Sequence, residues 1–188
     1  MTARGLLASG FAAALLFSMG CGGGSDSSDP GPVGPALACT EAGTPSVNTV
    51  TMSCGGLIDA TTERVDVVIE GPASGSTSLR GLNFDVTYDA TKLEFLPVAV
   101  PTSPLFPDAL VLAVLANNQQ GRIVAAIQQP GTLPAVAVST GEHRVISLSF
   151  RRVGVDTFDP TPLTFERAQA TAAVPAVTFA DGLSLSYQ

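Results

Sequence analysis

The chain has 188 residues, with 16 acidic against 9 basic side chains and a formal net charge of −7. That balance repels a phosphate backbone and argues against nucleic acid as a partner. Hydrophobic residues make up 45% of the chain, yet 19 glycines and 14 prolines punctuate it. No repeat of fixed period is evident, so the composition suits one core built from many short elements and not a solenoid or propeller.

Residues 1–20 read as an export signal, with Arg4 as the positive end and an apolar stretch over residues 6–17 broken by Ser9 and Gly10. The stretch is shorter than the roughly 20 apolar residues that a membrane-spanning helix needs. Ser18-Met19-Gly20-Cys21 follows and resembles a bacterial lipoprotein signal, departing from it at Ser18, where leucine is usual. The resemblance implies cleavage ahead of Cys21, lipid attachment to Cys21, and membrane contact through that N-terminal lipid only. Gly22 does not look like an inner-membrane retention signal, which implies the outer membrane. Ordinary secretory cleavage at the same bond is the alternative, since Ser18 and Gly20 also satisfy the small-x-small rule. Of three cysteines, lipid on Cys21 leaves Cys39 and Cys54 to pair in an oxidising compartment, closing a loop of about 16 residues. Residues 21–45 are rich in Gly, Ser, Asp and Pro, have little to bury, and read as a flexible tether.

Residues 46–188 hold nearly all the Val, Ile, Leu and Phe and are enough for one domain. Val65, Val67 and Ile69 alternate with Asp66 and Glu70, the period of two that turns an apolar set to one face of a strand. Leu82, Phe84, Val86 and Tyr88 alternate likewise with Asn83, Asp85 and Thr87. Asp89 opens a reversal, its side chain suited to bond the backbone two residues on. Leu93 and Phe95 resume the inward period in a second strand that Pro97 limits. Residues 109–116, ALVLAVLA, fit a buried strand or a helix end; the polar run 117–121 behind them reads as a turn, which favours a hairpin. In the next strand Ile123, Ala125 and Ile127 face inward, and Arg122, Val124, Ala126 and Gln128 outward. Ile146, Leu148 and Phe150, then Leu163 with Phe165, Val177 with Phe179, and Leu183, Leu185 and Tyr187 complete about nine strands. Pro160, Pro162 and Pro175 fall at strand borders, and Asp181-Gly182 reads as a hairpin turn. The expectation is an all-β antiparallel β-sandwich with jelly-roll topology.

The chemistry-bearing residues are few. His143 is the one histidine, without a second to share a metal or a free thiol to activate, and reads as an exposed side chain near a turn. Asp85 with Asp89, or Glu94 with Glu166, could act as a glycosidase pair only if both faced one cleft; Asp85 reads more simply as the solvent face of a strand and Asp89 as a turn residue. No nucleophile elbow, phosphate loop, zinc spacing or Asp-x-Asp-x-Asp calcium loop occurs. The reading is no enzyme, no metal and no cofactor. Sugar rings dock on exposed aromatics, but the chain has no Trp, and Tyr88 and Tyr187 fall on inward positions.

The order of a glycine, an alternating strand ending in Tyr88-Asp89, a short turn, then Leu93-Glu94-Phe95 resembles cohesin domains, the scaffold modules that receive dockerins in cellulase complexes. The likeness extends more loosely over residues 63–187. It implies a non-catalytic receptor for a dockerin-bearing protein, plausibly an enzyme of polysaccharide breakdown, with any calcium on the partner's side. It also implies that the partner lies across a sheet face that includes Asn83, Asp85, Arg122, Val124, Ala126 and Gln128. For Val124 and Ala126 burial under a loop is the alternative. A carbohydrate-binding module, which would take polysaccharide directly, and a structural or adhesive surface domain remain as other functions.

Overall fold

The period-two alternation decides the architecture, because each strand has one apolar face to hide and two sheets packed face to face hide all of them. The structure, a computed structural model, describes residues 34–97 and 102–188; the expected export signal, Cys21 and the first part of the expected tether lie outside the described residues. Among the described residues thirteen strands form rather than about nine, several of them two or three residues long.

One sheet has six strands in the order β1 (Leu37–Glu41), β13 (Leu183–Tyr187), β11 (Phe158–Thr171), β5 (Gly81–Thr87), β8 (Arg122–Gln128) and β7 (Leu110–Asn117), each antiparallel to its neighbour. The other has five, β12 (Thr178–Phe179), β2 (Thr49–Asp59), β3 (Thr62–Glu70), β10 (Glu142–Arg152) and β6 (Leu93–Leu96). These are antiparallel except β12 beside β2. β4 (Thr77–Leu79) and β9 (Val136–Val138) form a small separate pair.

The core sits between the two large sheets. Leu82, Phe84 and Val86 of β5 and Ile123, Ala125 and Ile127 of β8 are buried in one cluster with Val65, Val67 and Ile69 of β3 and Ile146, Leu148 and Phe150 of β10. Tyr88 and Phe95 meet Phe150 edge-on, with ring centroids 5.3 and 5.9 Å apart, and Phe84 meets Phe165 at 5.4 Å. Such pairs contribute about 0.5–1.5 kcal/mol each beyond the area they bury. Residues 110–117 form a strand, and with β8 they make the expected hairpin through a single 3-10 turn, Asn118–Gln120.

Local readings are corrected in four places. The stretch 21–45 is not tether throughout: Leu37 and Cys39 turn inward in β1, which pairs with β13, and Leu37 is buried. The Asp89 turn forms as expected, with the Thr91 N–H donating to Asp89 Oδ1 at 2.9 Å, but the strands it joins do not pair; β5 and β6 lie in different sheets. Asp181-Gly182 likewise carries the chain from β12 in one sheet to β13 in the other, while Asp181 Oδ1 accepts the Phe165 N–H at 2.6 Å. Pro160 and Pro162 lie inside β11, not at its border. They are tolerated because there β11 pairs only with β13, with a bulge between Phe158 and Thr161, so no neighbour on the other side requires their missing N–H groups.

Candidate protein-docking face

Where β11, β5, β8 and β7 lie side by side, alternation sends one side-chain set into the core and the other to the outer face. Asn83 is level with Ala126, Asp85 with Val124, Thr87 with Arg122, and Gly81 with Gln128; on the far side Leu115 is level with Val124 and Asn117 with Arg122. The six residues named from the sequence therefore share one face. Val124 and Ala126 are half-buried and Leu115 is 66% exposed. Leu115, Ala116, Asn117, Gln120, Arg122 and Val124 line an open hollow of about 200 Å³, three of them apolar and three polar or charged.

Asp85 departs from its reading as a solvent-facing residue. It points to the outer face but is 5% exposed, because two guanidiniums close over it. Arg122 Nε and Nη2 donate to Asp85 Oδ2 at 3.0 and 2.7 Å, and Arg167 Nε donates to the same oxygen at 2.7 Å, with Arg167 Nη2 at 2.5 Å. Arg167 arrives from a bulge in β11 between Glu166 and Gln169 and has φ of 48°, the left-handed region. The Arg167 side chain stays 62% exposed and that of Arg122 32%. Glu166, level with Asp85, is exposed. Among the described residues of this paired stretch these four are the ionisable side chains of the face; the rest are Gly, Thr, Asn, Gln, Ala, Val and Leu.

Beneath the face the β7–β8 turn is pinned across the sandwich. Asn118 Oδ1 accepts the Tyr88 hydroxyl and, at 3.1 Å, the Phe95 N–H, while its Nδ2 donates to Phe95 O at 3.1 Å. Gly121 closes the turn at φ of 60°, and a Cβ there would sit 1.9 Å from Tyr88 O, so both conformation and space require glycine. Burial, outweighing the hydrogen-bond contribution from Phe95, holds the Tyr88 hydroxyl above its usual pKa.

The catalytic candidates do not converge. Asp89 is spent in its turn, Glu94 pairs with Arg151 at 2.7 Å on the outer face of the five-stranded sheet, and Glu166 lies on the opposite outer face. His143 is half-buried and turned to Ser139, with its Nε2 3.1 Å from the carbonyl oxygen. Among the described residues no three His, Cys, Asp or Glu side chains form a metal-binding group. Tyr88 and Tyr187 are both buried, leaving no tyrosine ring as a sugar platform. Sequence reasoning missed Arg167, which a bulge takes out of any strand period, and Leu115, whose outward side is indistinguishable from the inward one within an all-apolar run.

No family model matches the chain, and no curated protein does. Among solved structures it is similar to a chain of the CaDoc0917–CaCohA2 complex, at 17% identity and a TM-score of 0.50, covering 72% of this chain and 96% of that one; CaCohA2 comes from Clostridium acetobutylicum. It is similar also to the structure of the third cohesin of ScaC in complex with the ScaB dockerin, from Acetivibrio cellulolyticus, at 12% identity, covering 72% and 95% of the two chains with a TM-score of 0.50. The fold of this chain is a cohesin-like β-sandwich.

Proposed function

We propose that this chain is a non-catalytic, lipid-anchored interaction module outside the cytoplasm, receiving a dockerin-type protein on the outer face of β5, β8 and β7. The observation that carries the reading is that face: in a chain of net charge −7, its charges are confined to one cluster, and an exposed leucine and a half-buried valine border an open hollow. Charge-poor apolar surface with a polar rim suits a protein interface. Lipid on Cys21 and the Gly-, Ser- and Pro-rich segment ahead of β1 hold the module at the outer membrane, and the partner, carrying its own calcium loops, brings an enzyme of polysaccharide breakdown to the cell surface.

The test is a capture from the source organism's envelope and secreted proteins on the full-length chain in detergent, with calcium and with chelator. A calcium-dependent catch bearing duplicated Asp-rich loops is expected. Direct retention of the module on polysaccharide, with no such protein, points instead to the carbohydrate-binding function.

A further inference from the structure

The outer-face ion cluster has an unused half. Two guanidiniums share one carboxylate, and every polar contact they make to it falls on Asp85 Oδ2. Each guanidinium has five N–H donors in a rigid fork, so the cluster retains donors on its solvent side. Asp85 is too covered to meet a partner, whereas Arg167 is 62% exposed. The cluster is a poor stability device, since ion pairs taken out of water roughly break even. Yet the chain places a non-glycine residue in the left-handed region to bring Arg167 there, a backbone cost that points to a role for the side chain itself.

We infer that the partner docks on this face with a carboxylate seated against Arg122 and Arg167, its apolar flank filling the hollow between Leu115 and Val124. The inference rests on the proposed docking reading and specifies the chemistry of the partner's contact residues. The chain's overall negative charge does not oppose it. Glu70 and Glu94 sit on the outer face of the other sheet, where Asp66 is already paired with Arg64 and Arg144, at least the sheet spacing of about 10 Å away, and surface charges beyond roughly 8 Å are largely screened at physiological salt. The local opponent is Glu166, exposed beside Asp85, and its sign makes the inference decidable.

The probe is a display library built on a calcium-loop dockerin scaffold, its exposed helix positions varied over all residues and selected on the full-length chain in detergent. Enriched clones are expected to carry Asp or Glu at a recurrent position. Arg167→Ala and, separately, removal of that acid should each weaken binding about ten- to a hundredfold, with the double change no worse than either alone. Glu166→Gln should tighten binding about two- to fivefold at low salt. Arg167→Gln, with an unchanged urea midpoint, controls for folding. Clones enriched in Lys or Arg, or indifferent to Arg167→Ala, overturn the carboxylate inference while leaving the docking face standing. No binder at all, with the chain folded, overturns the docking reading and the inference with it.

Discussion

Three carboxylates, Glu63, Asp66 and Asp85, are buried among the described residues, and Glu63 and Asp85 are covered for opposite reasons. Glu63 falls on the inward period of Val65, Val67 and Ile69 and is 2% exposed, its Oε1 accepting the Gly56 N–H at 3.0 Å. Burial holds its carboxyl above the usual value, against the Gly56 hydrogen bond and the neighbouring Arg64 charge. A raised carboxyl binds more protons folded than unfolded between its two pKa values. Its contribution is therefore full below 4.5 and is lost as pH rises through the folded value. Glu63→Gln keeps an acceptor for Gly56 and removes the charge, so the variant should match the native chain in urea midpoint near pH 4. At pH 7.5 the variant should have the higher midpoint. Equal midpoints at both pH values would mean that Glu63 ionises as freely folded as unfolded. Asp85 falls on the outward period, and there the sequence told its direction but not its burial. The covering groups come from the strand beside it and from a bulge 82 residues further on, and a bulge leaves no period to read.

At the scale of elements, the β7–β8 hairpin owes its position to one amide. Asn118 joins the turn of one sheet to Phe95 of the other and to the hydroxyl of Tyr88 between them. Replacing it with alanine leaves three partly buried polar groups of the neighbours without their partner, a loss of about 2–4 kcal/mol at 1–3 kcal/mol per stranded group with some recovered by water. The Asn118→Ala chain should show this as a lowered urea midpoint with an unchanged slope; a loss under about 0.5 kcal/mol, the scale of an ordinary surface substitution, would reduce the clamp to a surface contact. None of these links was legible from sequence, because an Asn-Asn-Gln-Gln-Gly run announces a turn and says nothing of what lies beneath it. The same limit explains the two turns that do not join paired strands. Turn chemistry at Asp89 and Asp181 is local and was readable, but the sheet that each following strand joins is chosen by where its apolar face finds a partner, and β6 and β13 find theirs across the core.

For the whole molecule, the two-layer architecture was legible because its cause is repeated in nearly every strand, whereas the domain's edge was not, because β1 is a five-residue strand behind a Gly- and Pro-rich segment. Cys39 in β1 is bonded to Cys54 in β2, with Cα atoms 5.8 Å apart and a sequence separation of 15. That bond ties the first strand of one sheet to the other sheet. Exchange of both cysteines for serine should lower stability by ~3 kcal/mol on the loop-entropy account, measured as a drop in urea midpoint without reductant; a loss under about 1 kcal/mol would mean that pairing of β1 with β13 already restrains the loop. The docking face demands a different dissection, since its residues must be changed without disturbing the layers. Val124 is the suitable position: it is half-buried on the outer side of β8, level with Leu115 and Asp85, while Ile123 and Ala125 on either side carry the core. Val124→Asp places a carboxylate in the lining of the hollow, where a partner's side chain could displace its water only at a cost of several kcal/mol, so capture of the calcium-loop partner should be lost. Stability should change by less than about 1 kcal/mol, because the new charge is partly solvated and has Arg122 and Arg167 nearby to offset Asp85. If the variant unfolds, Val124 is part of the core and the docking face must lie elsewhere; if it folds and still captures its partner, the partner docks on another face.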